Sequence, residues 1–131
     1  MKKIVVIDGQ GGNIGKQIVK RIKETVKDAM VTAVGTNSTA TENMMKAGAD
    51  QGATGENSVV VAARTADVII GPIGIVIADA LLGEVSPKMA KAVGQSEAKR
   101  ILIPFNKCET IVAGVENQSI TALIEDAIKK I

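Results

Sequence analysis

The chain's 131 residues are 46% hydrophobic and 23% charged, with a mean hydropathy of +0.21, which suits one domain spanning 1–131 and excludes a long disordered tail. With no His, Trp or Tyr and a single Phe, the chain by itself excludes a His-based triad, a His-ligated zinc site, a Tyr general acid and nucleic-acid binding on stacked rings. Lys and Arg number 16 against 14 acids, and the net charge of +2 is too balanced to imply a polyanionic partner.

In chain order, Ile4-Val5-Val6-Ile7 is a short β-branched run, the pattern of a strand buried on both faces. A glycine-rich loop follows Asp8. From Ile14 the period changes: Ile14, Ile18, Ile22 and Val26 recur every four residues, and Lys16, Lys20, Lys23, Glu24 and Lys27 take the other faces of an amphipathic helix. Residues 30–34 read as a second strand ending at Gly35, completing a βαβ unit with parallel strands. Residues 40–47 read as a helix closed by Gly48, and 49–54 hold a short strand. In 58–65, Val59-Val60-Val61 favours a strand and Ala62-Ala63-Arg64 a helix; the alternating order favours the helix.

Val68-Ile69-Ile70 is a buried strand ending at Gly71-Pro72. Residues 73–82 are apolar nearly all round and predict a buried helix, or one at a subunit contact. Ser86-Pro87 opens the next helix, with Ser as N-cap and Pro at the first helical position. Strands are predicted at 101–103 and 110–113, and Ile120, Leu123, Ile124, Ala127, Ile128 and Ile131 mark a C-terminal amphipathic helix. This alternation predicts a single-domain, Rossmann-like three-layer α/β/α sandwich with a mainly parallel sheet.

The most apolar stretch, 68–82, is interrupted by Gly71, Pro72, Gly74 and Asp79 and is too short to span a bilayer. The four-residue apolar run before Asp8 does not make a signal peptide. Cys108 is the single cysteine, which fits a reducing compartment. The expectation is a cytoplasmic protein with no membrane partner.

Gly9-Gln10-Gly11-Gly12-Asn13-Ile14-Gly15 lies between a predicted strand and a predicted helix. There, backbone N–H groups can approach a phosphate while the helix N-terminus supplies partial positive charge. A side chain at Gly9 or Gly11 would block that approach, and Gly15 lets helix and strand pack closely. The bland alternative is a tight turn that binds nothing. The G-x-G-x-x-x-G spacing departs from the usual dinucleotide fingerprint and is similar to the looser motif of the short-chain dehydrogenases. Their Tyr-x-x-x-Lys chemistry is excluded here, because the chain has no Tyr. Gly15-Lys16 matches the G-K pair of a P-loop, but Gln10 replaces its first glycine and Gln17 its magnesium-binding hydroxyl.

A dinucleotide site also wants an acid about twenty residues beyond the loop, to hold the ribose hydroxyls. The segment Gly35-Thr36-Asn37-Ser38-Thr39-Ala40-Thr41 has neither acid nor Arg, so neither NAD nor NADP is singled out. Its hydroxyls and amides serve equally as ligand contacts or as a turn and N-cap. Ligands of parallel sheets bind outside the carboxyl ends of the strands, where strand order reverses. The residues expected there are Gly9 to Gly15 individually, Gly35, Thr36, Asn37, and the turn Gly71, Pro72, Ile73 and Gly74. For Asp8 the readings are a cap on the loop's N–H groups, a ribose or metal contact, or a catalytic acid. Lys107 beside Cys108 offers a thiol of lowered pKa, although a single cysteine is more often inert. No metal site is assigned.

The loop, together with Val34-Gly35-Thr36-Asn37, Gly52-Ala53-Thr54-Gly55-Glu56-Asn57, Ile70-Gly71-Pro72-Ile73-Gly74 and Ile103-Pro104-x-Asn106-x-Cys108, resembles a family of short bacterial proteins classed as a domain of unknown function. That resemblance implies a small stand-alone bacterial protein and carries no activity. The leading expectation is a nucleotide- or dinucleotide-binding protein, its cofactor NAD(P) or another nucleotide, held by the 9–15 loop. The alternatives are a small enzyme acting on a phosphorylated substrate through Asp8, Lys107 or Cys108, and a non-catalytic homo-oligomer, such as a homodimer joined through residues 73–82.

Overall fold

The computed structural model describes residues 1–105 and 109–131. β1 (Lys2–Asp8), α1 (Asn13–Thr25), β2 (Ala29–Gly35), α2 (Ser38–Lys46), β3 (Gln51–Thr54), α3 (Glu56–Thr65), β4 (Val68–Pro72), α4 (Pro87–Gln95), β5 (Lys99–Ile103) and α5 (Ile120–Lys129) follow in order. The ambiguous 58–65 segment is helical, within α3. The strands form one parallel sheet in the order β3-β2-β1-β4-β5. Ile4 of β1 pairs Val31 on one side and Val68 on the other, and Ile70 of β4 pairs Ile101.

The two-residue period of a strand divides the core. Ile4 and Val6 face α1, α2 and α5, packing with Ile14, Ile18, Ile22, Met44 and Ile124. Val5 and Ile7 face α3 and α4, packing with Val59, Ala63, Met89 and Val93. Helices therefore cover both faces of the sheet, as the alternation of elements predicts. No helix among the described residues is long and apolar enough to cross a membrane.

Two predicted elements are replaced. Residues 73–82 do not form a helix: a short 3-10 helix, Ile73–Val76, gives way to a strap that folds back on itself. Its bonds run from Gly83 N–H to the Asp79 carbonyl, from Val85 N–H to Ala80 and from Asp79 N–H to Val85. Asp79, Leu81 and Leu82 take left-handed φ of 66°, 57° and 56°, and Gly83 follows at 88°. A helix here would turn apolar residues toward every side, whereas the core lies on one side. The strap instead buries Ile75, Ala80, Leu81 and Val85 and leaves Leu82 97% exposed. Asp79 is exposed as well.

Residues 110–113 are not a strand either. The Val115 N–H donates to the Val112 carbonyl in a turn, and Ile111 is 89% exposed. β-branched residues favour a strand only where a ladder and a half-buried face receive them. Asn106, Lys107 and Cys108, with the reactive-thiol reading placed on them, lie outside the described residues.

Candidate functional site

Strand order reverses between β1 and β4, and in open parallel sheets ligands bind outside the carboxyl ends of the strands at such a point. Asp8 ends β1 on the face of Val6, beneath α1. Its buried carboxylate accepts from Gly9 N–H at 2.8 Å and from Gly15 N–H at 2.7 Å, with Ile14 N–H contributing. The Ile14 and Gly15 N–H groups are donors that the first turn of a helix otherwise leaves unpaired. Burial pushes the Asp8 carboxyl above the usual aspartate value of 3.8; the Gly15 and Gly9 bonds oppose that rise and the nearby charge of Glu84 adds to it.

The loop itself is a tight turn closed by Gly12 N–H on the Gly9 carbonyl. Side chains of α2 and its N-cap hold it: Asn43 Nδ2 donates to the Gly11 carbonyl at 2.7 Å, and Asn37 Nδ2 to that of Gln10 at 2.8 Å. Among the described residues, the N–H groups of Gly11 and Asn13 make no hydrogen bond.

Most of the glycines expected at the site have neighbours inside the protein that explain them. A Cβ on Gly15 would lie 2.5 Å from Met44 Sδ and 2.8 Å from Asp8 Cβ, the close helix–strand packing expected of it. One on Gly9 would meet Thr36 Oγ1 and Leu81 Cδ1, and one on Gly35 would meet Thr41. Gly12, the αL N-cap of α1, abuts Ala40. Gly71 belongs to β4, where a Cβ would lie 2.2 Å from the Ile7 carbonyl oxygen; Pro72 and Gly74 are buried beside it and Ile73 is half-buried. Within the 9–15 loop Gly11 differs, because a Cβ there meets nothing within 4 Å, as is also true of Gly55, Gly83, Gly94 and Gly114 elsewhere.

The structure brings Gly9, Gln10, Thr36 and Asn37 together around a residue that the sequence reading missed. Glu84, at the end of the strap, accepts through Oε1 from Gln10 N–H at 2.8 Å, Thr36 Oγ1 at 2.7 Å and Asn37 Nδ2 at 2.7 Å. Burial pushes its carboxyl up, but the Thr36, Gln10 and Asn37 bonds outweigh this and hold it below the usual glutamate range. The available signal was an acid directly after Gly83 in an apolar stretch, obscured by reading 73–82 as helix.

The model of DUF3842, a domain of unknown function, matches residues 3–131, and the chain belongs to that family. No curated protein matches the chain. Among solved structures, it is similar to the crystal structure of a dodecameric FMN-dependent Ubix-like decarboxylase from Escherichia coli O157:H7. That match has 14% identity and a TM-score of 0.47, covering 99% of this chain and 91% of the other. A likeness of that degree carries no functional argument.

Proposed function

We propose that this DUF3842 member binds a nucleotide or dinucleotide in the crevice at the carboxyl ends of β1, β2 and β4, with a phosphate on the 9–15 loop. The observation carrying this reading is the pair of unbonded N–H groups, Gly11 and Asn13, at the start of α1 beside open space at Gly11. Backbone N–H groups at a helix N-terminus suit an anionic group. Asp8 occupies the Gly15 and Ile14 N–H groups, so the phosphate takes the two donors it leaves.

A turn that binds nothing accounts for Gly9, Gly12, Gly15 and Gly35, each of which has an internal packing reason, but not for Gly11. Gly11 is therefore the residue on which the test rests. Thermal unfolding would be followed with NAD, NADP, FAD, FMN, ATP, GTP and S-adenosylmethionine, each at millimolar concentration. A ligand at about a hundred times its Kd adds about 2.7 kcal/mol, a shift of several degrees. The expected result is a shift with at least one nucleotide that Gly11→Val abolishes while leaving the unliganded Tm unchanged. No shift with any of them, or a shift that Gly11→Val leaves intact, overturns the reading.

A further inference from the structure

The segment after β2 lacks the acid that a ribose would need, yet the fold delivers one there from elsewhere. Glu84 arrives from the strap after β4 and is anchored on the loop after β1 and on the two residues after β2. Its three hydrogen bonds all fall on Oε1. Among the described residues, Oε2 receives none, and no Lys or Arg pairs with the carboxylate. One oxygen is thus saturated and fixes the group, while the other keeps its lone pairs for an incoming donor. An acceptor already held in place loses little freedom on binding, and a hydroxyl bonded to a charged group is worth more than a neutral pair.

Strand twist and loop length do not require an acid at this point, and a neutral side chain could close the corner between the strap and β2. A negative charge with one free oxygen beside a phosphate-accepting loop matches a ligand that carries hydroxyls a short distance from its phosphate.

We propose that Glu84 is the specificity residue for ribose: Oε2 accepts the vicinal hydroxyls of a ribonucleotide whose phosphate sits on the 9–15 loop. The proposal rests on the nucleotide-binding reading and narrows it to ribose-bearing ligands. The same charge disfavours a phosphate esterified to the 2′-hydroxyl, so the site prefers NAD to NADP.

The test measures binding of ATP, 2′-deoxy-ATP, NAD and NADP to the intact protein by calorimetry, with FMN, whose chain is ribityl, as a comparison. On the wild-type protein, removing the 2′-hydroxyl or phosphorylating it is expected to weaken affinity about tenfold or more. Glu84→Gln is expected to reduce both discriminations to a factor of about two, and its unliganded Tm checks that the fold is kept. Equal affinity for ATP and its 2′-deoxy analogue, or discrimination that survives Glu84→Gln, overturns the ribose assignment while leaving nucleotide binding in place. Binding of FMN alone does the same. Binding of none of the five overturns the ribose assignment, and with no thermal shift from GTP or FAD it overturns nucleotide binding as well.

Discussion

Asp8 shows how one side chain is placed by the strand period and then put to use by the helix beside it. Alternation along β1 turns it to the side of Val6, and α1 begins where its carboxylate can take the Gly15 N–H. Asp8→Asn replaces one accepting oxygen with an amide donor that faces a backbone N–H. It is expected to cost about 1–3 kcal/mol by urea unfolding at pH 7. Because burial raises the folded Asp8 above the unfolded value of 3.8, its titration contributes stability that is fully present below that value and lost as pH rises through the folded one. The variant's deficit is therefore larger at pH 4 than at pH 7, and urea midpoints at both values check this. Glu84 has the opposite sign. Its contribution is present above the unfolded value of 4.5 and is lost as pH falls through the lower folded one.

Among the elements, the strap between β4 and α4 decides most about the site. It is pinned at its end by Ser86, whose Oγ donates to Glu56 Oε2 at 2.6 Å and accepts from Met89 N–H as the N-cap of α4. Ahead of that anchor the left-handed Leu81 and Leu82 carry a conformation that costs L-residues roughly 1–2 kcal/mol each. Leu81 has a return, since it is buried against the sheet; Leu82, 97% exposed, has none. Leu82→Gly is expected to stabilise the protein by about 0.5–1 kcal/mol, the relieved conformational cost less the extra entropy of glycine in the unfolded chain. A Tm rise of a few degrees with unchanged ligand binding is the expected outcome, read by thermal unfolding. A fall in Tm would mean that the strap draws no strain from this residue.

For the whole molecule, stability depends on the two-sided core around β1 and β4. Ile70 of β4 is fully buried between β1 and β5, whereas Ile111, the same residue type, is almost fully exposed. Ile70→Ala is expected to cost about 2–5 kcal/mol, through lost transfer energy and the cavity left behind. Ile111→Ala is expected to stay within about 0.5 kcal/mol. Chemical denaturation of the two variants beside the wild type reads both values. The order β3-β2-β1-β4-β5 sets β1 between β2 and β4, and Glu84, from the strap after β4, meets the loops after β1 and β2 because of that order.

By itself the sequence determined what local period and turn chemistry control. The four-residue spacing of Ile14, Ile18 and Ile22 marks α1, the β-branched runs mark β1, β2 and β4, and Ser86-Pro87 marks the start of α4. In each case the signal is local and agrees with the tertiary packing. It misled at 73–82 and 110–113, where apolar or β-branched composition says nothing about which side the core lies on or whether a partner strand is present. Only the tertiary structure decided that Asp8 takes the helix donors, that Gly9, Gly12, Gly15, Gly35 and Gly71 answer to internal packing, and that an acid reaches the end of β2 from a strap 48 residues along the chain from Thr36. The spacing between Thr36 and Glu84 carries no periodicity to read. Their contact exists because a parallel sheet returns each strand to the same edge, and strand order, which one sequence does not display, selects the loops that meet there.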